Sequence, residues 1–278
     1  MRSLLFVPAT RPDRFQKALD SGADAIVIDL EDAVEPARKA EARGLVDAFL
    51  TGLGDTGAAV LIRINAPGSE WIDDDCAWVR KYNIDGVVVP KAEHAESLEA
   101  VANAVHNHTV VPLLETVRGI LDAPEILTAK AEIPAVLFGA EDFTAELGIP
   151  RTLEGDELLY ARSRVVLAAA TIGADPIDAV WVQLSDPESL RVDAARAKGL
   201  GFRGKMAIHP DQIAVINEVF SPTAEEIAHA RRLIEADERA RAGGDGVFRL
   251  DDQMVDAPVI RRALRVLEMV ERLPRPPA

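Results

Sequence analysis

Eight short apolar stretches recur along this chain, and amphipathic segments separate them. Strands that are apolar on both faces and alternate with helices are typical of parallel sheets covered by helices on both sides. The predicted strands are Leu4–Val7, Ala25–Leu30, Val60–Ile64, Gly86–Val89, Val110–Leu114, Val136–Phe138, Ala179–Val182 and Lys205–Ile208. The amphipathic segments include Pro12–Asp20, Pro36–Leu50, Ala95–Val105 and Glu157–Ile172. Eight such units predict a closed (β/α)8 TIM barrel of the α/β class.

A doubly wound open sheet is the alternative fold. That fold usually carries a glycine-rich phosphate loop after its first strand, whereas this chain has Pro8-Ala9-Thr10-Arg11-Pro12 there. The length of 278 residues is also normal for an α/β barrel. The barrel is therefore the favoured architecture.

The chain changes character after Ser221-Pro222. Thr223 and Glu226 have the spacing of a helix capping box, and a glycine-rich loop follows at residues 243–246. A last helix is predicted to begin at Pro258, because proline suits the first turn of a helix. The predicted domains are a barrel over residues 1–220 and a C-terminal helical extension over residues 221–278.

Charge and cysteine content exclude several classes of partner. A formal net charge of −15 disfavours binding to nucleic acid or to an anionic membrane surface. No apolar run reaches the roughly 18 residues of a membrane span, and the N-terminal apolar stretch is too short for a signal peptide. The single cysteine, Cys76, excludes an internal disulfide and leaves oxygen-rich sites as the only plausible metal sites. We therefore expect a cytoplasmic protein.

Polar and charged residues follow nearly every predicted strand. In a (β/α)8 barrel these C-terminal strand ends form the mouth of the active site. The residues are Asp29, Glu31, Asp32, Arg63, Asn65, Lys91, Glu115, Glu141, Asp142, Gln183 and His209. Neighbouring carboxylates repel each other unless they are protonated or bridged by a cation. Because the available ligands are oxygens, the pattern favours Mg²⁺ over Zn²⁺, with Glu115 and Asp142 as the central pair.

Each candidate also has an ordinary structural role as its alternative. Glu115 could cap the next helix, although Thr116 is the better cap, and Asp142 could begin a turn. Arg63 could be an ion-pair partner of the acids after strand two. His209 could be a buried, hydrogen-bonded residue.

Eight short motifs follow one another in an order found in a known family. They are Leu5-Phe6-Val7-Pro8, Ser21-Gly22-Ala23-Asp24, Asp29-Leu30-Glu31-Asp32-Ala33-Val34, Arg63-Ile64-Asn65, Pro90-Lys91, Phe138-Gly139-Ala140-Glu141-Asp142, Gly201-Phe202-Arg203-Gly204-Lys205 and Ile208-His209-Pro210-Asp211-Gln212-Ile213. The chain resembles the citrate lyase β-subunit-like proteins, in the malyl-CoA and citramalyl-CoA lyase group of the HpcH/HpaI aldolase superfamily. The resemblance implies a barrel, usually trimeric, that uses Mg²⁺ to cleave or form a carbon–carbon bond between an acyl thioester and a 2-oxo acid.

The resemblance also implies roles for individual residues. Glu115 and Asp142 match the metal ligands, and Glu115 also lies at the substrate. Arg63 matches the arginine that holds the oxo-acid carboxylate and takes part in catalysis. The matches to the CoA-thioester pocket are Phe6, Arg14, Lys17, Arg38, Ile208 and His209. Arg11 adds to this local basic cluster, which would suit the CoA phosphates, although a solvated face is the alternative.

The C-terminal extension matches a lid that closes over a neighbouring subunit's site. Asp256 matches a catalytic aspartate, and its alternative role is to cap the helix after Pro258. The glycines at 243, 244 and 246 are the expected hinges. Many relatives have Gly-Lys where this chain has Asp252-Gln253, which removes a positive charge from the lid. Because this lid acts on a neighbouring subunit, the resemblance also implies a homotrimer or a dimer of trimers.

Several functions remain open at this stage. The first is a Mg²⁺-dependent lyase for a malyl-, citramalyl- or citryl-CoA type of thioester, working in either direction. A malyl-CoA thioesterase is the second, and the β subunit of a larger citrate lyase acting on a carrier-bound thioester is the third. A non-catalytic binding protein is the fourth. Glyoxylate, pyruvate and oxaloacetate all remain candidate oxo acids.

Overall fold

Eight parallel strands close into a barrel, in the order in which they occur along the chain. The computed structural model describes residues 1–54, 56–242 and 246–272. The strands are β1 (Ser3–Pro8), β2 (Ala25–Asp29), β3 (Ala59–Arg63), β4 (Gly86–Val89), β5 (Thr109–Leu114), β6 (Ala135–Phe138), β7 (Asp175–Asp178) and β8 (Gly204–Ala207). The predicted (β/α)8 barrel is confirmed, because β1 pairs with both β2 and β8.

Helices separate the strands and continue beyond them. They are α1 (Phe15–Leu19), α2 (Lys39–Thr51), α3 (Ile72–Val79), α4 (Ala95–Val105), α5 (Val117–Leu121), α6 (Ala123–Ile126), α7 (Ala140–Leu147), α8 (Leu159–Ile172), α9 (Pro187–Leu200), α10 (Ile213–Phe220), α11 (Ala224–Ala242) and α12 (Ala257–Arg272). Short 3-10 turns precede four of them, at Pro12–Arg14, Pro36–Arg38, Asp156–Leu158 and Pro210–Gln212. The four predicted helical segments all form, as α4 and as α1, α2 and α8 with the 3-10 turns before them, although Asp20 lies one residue beyond α1.

The seventh strand lies four residues earlier than predicted. The prediction chose the apolar run Ala179–Val182, but β7 is Asp175–Asp178 and the apolar run is a loop beyond it. Asp178 can occupy a buried strand position because Arg162 and Lys205 neutralise it, with Arg162 Nε at 2.9 Å and Lys205 Nζ at 2.6 Å from its carboxylate oxygens. Gln183 therefore does not end a strand, and its predicted place at the strand end is wrong.

Side chains alternate between two apolar layers. The barrel interior is filled by residues such as Leu4, Val27, Leu137 and Met206, all almost completely buried. Residues one position along the strands face the surrounding helices and join the larger apolar cluster. Each fully buried side chain of this size contributes roughly 1.5–3 kcal/mol. This packing holds the C-terminal strand ends, and the polar residues after them, at one rim.

The chain divides into two compact units, Met1–Phe220 and Ser221–Ala278. In the second unit α11 packs against α12 around Leu233, Val255 and Ile260, and β9 (Phe248–Leu250) pairs with β10 (Gln253–Val255) in a hairpin. The predicted capping box at the start of α11 is present, since the backbone N–H of Glu226 donates to Thr223 Oγ1 at 3.1 Å and that of Thr223 donates to Glu226 Oε2 at 2.8 Å.

The hinge role of the glycines in the C-terminal extension and the cytoplasmic location of the protein both remain predictions. Gly243 and Gly244, two of the expected hinge glycines, lie outside the described residues, whereas Gly246 lies in a bend. None of the helices described in residues 1–54, 56–242 and 246–272 is long and apolar enough to cross a membrane. The cytoplasmic location stays a prediction.

Candidate active site

The last residues of β2 and β3 form the centre of the rim. Asp29 and Arg63 are partners in the parallel register, and their side chains form a bidentate ion pair. Arg63 Nε and Nη2 each lie 2.7 Å from an Asp29 carboxylate oxygen. Asp29 also accepts hydrogen bonds from the backbone N–H groups of Glu31 (2.9 Å) and Ala33 (3.2 Å). One carboxylate therefore fixes both the guanidinium and the loop after β2.

Three further contacts complete the surroundings of Arg63. Its Nη1 lies 3.0 Å from Glu31 Oε2 and 3.3 Å from Asp32 Oδ2, and its guanidinium is 5.4 Å from the centre of the Phe6 ring. Burial alone lowers the pKa of Arg63, but Asp29 and Glu31 outweigh it and raise that pKa above its usual value. The Nε–Nη2 fork is thus already filled by Asp29, and the ion-pair role considered for Arg63 is real.

Lys91, after β4, connects these acids to the next part of the rim. Its ammonium pairs with Glu31 Oε1 and lies 3.8 Å from Asp32 Oδ1. Its backbone N–H donates to Glu115 Oε1 at 2.9 Å. Its φ of +49° is uncommon for a residue with a side chain, and such strain often accompanies functional sites. We call Asp29, Glu31, Asp32, Arg63 and Lys91 the arginine network.

Glu115 follows β5 and is only 2 % exposed. Burial raises its pKa to about 8, and the charges of Asp142 and Glu31 add to the rise, although Arg63 and the Lys91 N–H oppose it. Thr116, as expected, caps α5 by accepting from the Gly119 N–H at 2.9 Å. Glu115 is therefore not the cap of α5, and the helix-capping alternative for it is wrong.

Gly139 makes the space that Glu115 occupies. It continues β6 directly beside β5, where Leu114 pairs with Phe138. A Cβ atom at residue 139 would lie 2.4 Å from Glu115 Cβ and 2.7 Å from Glu115 Oε2. A side chain at this position would displace the carboxylate.

Asp142 lies in the first turn of α7, three residues after Gly139, and is half-buried. Its charge is close enough to raise the pKa of Glu115, so the structure brings the predicted pair together. No group of three or more His, Cys, Asp or Glu side chains that could hold a metal ion occurs in the described parts of the chain. Mg²⁺ commonly takes one or two carboxylates and keeps several waters, so two acidic ligands on a rim suit it.

A basic cleft of about 470 Å³ lies beside the arginine network, between β1, α1 and the end of β8. It brings together five of the six predicted thioester contacts, which are Phe6, Arg14, Lys17, Ile208 and His209. Arg11 also lines it but is held by Asp13 through two bonds of 2.8 and 2.7 Å. In the described part of the chain Arg14 and Lys17 form no ion pair, which leaves two exposed cations for an anionic ligand.

Arg38, the sixth predicted thioester contact, does not line the basic cleft. It pairs instead with Glu41, at 2.9 and 2.8 Å, on an exposed surface. Arg38 therefore forms a local ion pair with a residue in the first turn of α2 and is not part of the cleft wall.

The cleft wall at β8 is held by a buried glutamine that the sequence pattern alone does not single out. Gln212 Oε1 accepts from the Ile208 N–H at 2.9 Å, and its Nε2 donates to the Trp181 carbonyl at 2.7 Å. His209 is hydrogen-bonded, because its Nδ1 accepts from the Asp211 N–H at 3.3 Å at the start of the 3-10 turn. It is only half-buried, so the buried position considered for it is wrong. Gln212 belongs to the same sequence motif as His209. The motif marks this segment, but the hydrogen bonds of Gln212 can be seen only in the structure.

The second unit presents Asp256 at the start of α12. Its Oδ1 accepts from the Val259 N–H at 3.3 Å, so it does cap the helix, and its side chain is exposed. Asp251 and Asp252 connect β9 to β10 with φ values of +45° and +67°, as a two-residue type I′ turn requires. Asp252 thus occupies a backbone conformation that glycine adopts more easily.

Comparison with known proteins agrees with this geometry. The profile of the HpcH/HpaI aldolase/citrate lyase family matches residues 2–210. The chain is 40 % identical to a citrate lyase subunit beta-like protein of Deinococcus radiodurans, over 96 % of each chain. It is 33 % identical to a (3S)-malyl-CoA thioesterase of Cereibacter sphaeroides, over 98 % of this chain and 95 % of that protein.

A solved structure extends the likeness to the whole fold. CitE from Mycobacterium tuberculosis, crystallised with magnesium, acetoacetate and coenzyme A, superimposes with a TM-score of 0.82 at 34 % identity and covers 98 % of both chains. The resemblance drawn from the motifs is therefore confirmed. The chain belongs to the HpcH/HpaI aldolase/citrate lyase family of enzymes.

Proposed function

We propose that this protein is a Mg²⁺-dependent carbon–carbon lyase. Its substrate would be a 3-hydroxy-carboxyacyl-CoA of the malyl, citramalyl or citryl type, cleaved to a 2-oxo acid and an acyl-CoA or formed from them. The observation that carries the proposal is the burial of Glu115 within reach of the charges of Asp142 and Arg63, with the basic cleft adjoining Arg63 at Phe6. A buried carboxylate with a pKa of about 8 is expensive to ionise unless a cation joins it.

Glu115 and Asp142 would hold the Mg²⁺, which when bound supplies a Lewis acid for the oxo-acid carbonyl. Both residues offer only oxygen atoms, in keeping with that hard cation. The M. tuberculosis relative crystallised with magnesium and acetoacetate supports the choice of metal.

Arg63 would bind and orient the carboxylate of the oxo acid. Because Asp29 fills its Nε–Nη2 fork, the substrate would meet the Nη1 side, where Glu31 and Asp32 now lie. The oxo-acid carboxylate would replace Glu31 or Asp32 at Nη1, and a hydrogen bond between a guanidinium and a carboxylate is a strong one. Arg63 is thus the proposed catalytic and substrate-binding arginine.

The basic cleft would bind the CoA thioester. Arg14 and Lys17 suit its phosphates, while Phe6, Ile208 and His209 supply a partly apolar wall. Phe6 touches both regions, since its ring lines the cleft and lies 5.4 Å from the Arg63 guanidinium. The acyl end of the thioester would therefore reach the oxo acid at this ring.

Asp256 would transfer the proton at the carbon of the acyl group. As the carboxylic acid it would protonate the enolate carbon in cleavage and become a carboxylate, and as the carboxylate it would take that proton back in condensation. We place it on the lid of a neighbouring subunit, in a homotrimer or dimer of trimers. The Asp256 side chain is exposed in the second unit, so it is free to act at a site on a neighbouring subunit.

The decisive experiment is a product screen of the purified protein. Malyl-CoA, citramalyl-CoA and citryl-CoA are incubated with Mg²⁺ or with EDTA, and mass spectrometry identifies the products. We expect one oxo acid and one acyl-CoA, with the activity lost in EDTA and in Glu115→Gln. Glu125→Gln, which changes an exposed glutamate on α6, is the matched control and should retain full activity. Metal-independent activity would contradict the proposal.

A thioesterase is the second candidate, favoured by the (3S)-malyl-CoA thioesterase relative. Free malate with free CoA as the products would decide for it, whereas glyoxylate with acetyl-CoA would decide for the lyase. The citrate lyase β-subunit function is tested by a carrier-bound citryl thioester in the same screen. Activity on the carrier but not on any CoA thioester would favour that function.

A further inference from the structure

Lys39 is a buried cation in an unusual place. It is the first residue of α2 and only 5 % exposed, and in the described part of the chain it makes no ion pair. A positive charge at a helix N-terminus opposes the helix dipole, and burial of an ammonium group is unfavourable. Burial lowers the pKa of Lys39, in keeping with this placement. A lysine that only began a helix would lie in solvent.

The ammonium group is directed at two consecutive carbonyl groups. Lys39 Nζ donates to the Leu30 carbonyl at 2.8 Å and to the Glu31 carbonyl at 2.7 Å. The Trp71 ring lies 5.3 Å away and offers its face as a third partner. The lysine thus clamps the loop after β2 from behind.

That loop is the one that holds Arg63. Its side chains, those of Asp29, Glu31 and Asp32, contact the guanidinium. The same short segment therefore faces Lys39 with its carbonyls and Arg63 with its carboxylates. A shift of the Leu30 and Glu31 backbone would move the carboxylates and the arginine with them.

We infer that Lys39 is a positioning residue for the oxo-acid end of the site. It touches no substrate and acts through the loop that orients Arg63. The basic cleft is lined by residues between 5 and 18 and between 208 and 210, and the ammonium group of Lys39 hydrogen-bonds none of them. The inference rests on the proposed function, and it predicts an effect on the oxo acid that is separate from any effect on the thioester.

The test compares Lys39→Met with Lys39→Arg in the condensation direction. The oxo acid is the one that the product screen identifies, and Mg²⁺ is saturating. For Lys39→Met we expect the KM for the oxo acid to rise roughly ten- to hundredfold, as when supporting residues around a bound group are removed, while the KM for the acyl-CoA changes less than twofold. Lys39→Arg keeps donors for both carbonyls and should recover most of the loss. Lys130→Met, at an exposed lysine, is the control and should change neither KM.

Equilibrium binding separates this inference from the proposed lyase activity. Calorimetry with glyoxylate, pyruvate and oxaloacetate in the presence of Mg²⁺ measures oxo-acid affinity even if the protein turns out to be a thioesterase. An oxo-acid affinity that is unchanged in folded Lys39→Met, or equal losses for oxo acid and acyl-CoA, would overturn the inference. If Lys39→Met does not fold, Lys39→Gln, which can donate to one carbonyl, replaces it. An intermediate loss would then support the inference, and no loss would overturn it.

Discussion

The arginine network and the basic cleft meet at Phe6, yet the first buries and pairs its positive charge whereas the second leaves its positive charges exposed. In the network Arg63 is buried and has an acidic partner at each of its three guanidinium nitrogens. In the cleft Arg14 and Lys17 are exposed cations. A buried charge is effective only while all its partners are in place, whereas an exposed charge is screened and replaceable. One half of the site is therefore preorganised and fragile, and the other is tolerant.

Removing the central charge from each half tests this contrast most strongly. Arg63→Met leaves Asp29 buried without its cation and leaves Glu31 with Lys91 alone, and breaking a buried pair in this way costs about 3–5 kcal/mol. We expect a large fall in the free energy of unfolding in urea, together with loss of activity. Arg14→Met should leave the urea midpoint unchanged. Similar urea midpoints for the two variants would show that the network is not the fragile half.

A single methyl group tests the space around the metal pair. Gly139→Ala would place a carbon atom 2.4 Å from Glu115 Cβ, and we expect a loss of about 1–3 kcal/mol in stability with a fall of at least tenfold in Mg²⁺ affinity. Gly199→Ala, in α9, meets no atom within 4 Å and is the control. It should be neutral or stabilising, because alanine favours helices over glycine by up to about 1 kcal/mol. Thermal unfolding and Mg²⁺ titration measure both effects.

Mg²⁺ binding should release a proton from Glu115. With the pKa of Glu115 raised to about 8, the carboxyl is mainly protonated at pH 7, and a bound cation requires it to ionise. We expect nearly one proton released per Mg²⁺ at pH 7, measured by calorimetry in two buffers of different ionisation enthalpy. The affinity should rise about tenfold from pH 6 to pH 7 and level off above pH 8.

In the metal-free protein the same carboxyl makes the free energy of unfolding fall as the pH rises, whereas the affinity for Mg²⁺ increases with pH. Between pH 4.5 and about 8 the unfolded state has lost this proton while the folded state retains it, so stability falls as the pH rises. Glu115→Gln should flatten this slope. A stability that instead rose across the window because of residue 115 would contradict the burial argument.

Sequence pattern predicted the parts of the molecule that depend on local order. The strands before Arg63 and Glu115 are apolar runs, and a barrel brings their ends to one rim, so both residues could be predicted. The apolar pattern misplaces β7, because Asp178 in that strand is neutralised by Arg162 and Lys205, which come from other elements. Partners that are distant in the chain cannot be read from a local pattern.

The same limit applies within the site. Lys39 begins a helical pattern, where a lysine normally lies in solvent, and nothing nearby in sequence indicates its contacts with the Leu30 and Glu31 carbonyls. The space that Gly139 leaves for Glu115 also depends on pairing between two strands. Residue types at strand ends were therefore predictable, but the supports that fix them were not.

The smallest expected effect is a difference in how salt changes the KM for the acyl-CoA, which we assign to the basic cleft, and the KM for the oxo acid, which we assign to the arginine network. Arg14→Met and Lys17→Met should each raise the KM for the acyl-CoA roughly two- to fivefold, as expected for exposed charge contacts. In the unmodified protein the KM for the acyl-CoA should increase steadily between about 0.05 and 0.5 M NaCl, because salt screens exposed charges. The KM for the oxo acid, which we assign to the buried network, should change much less over the same range. Equal salt dependence of the two KM values would place the oxo acid among exposed charges and remove the distinction between the halves.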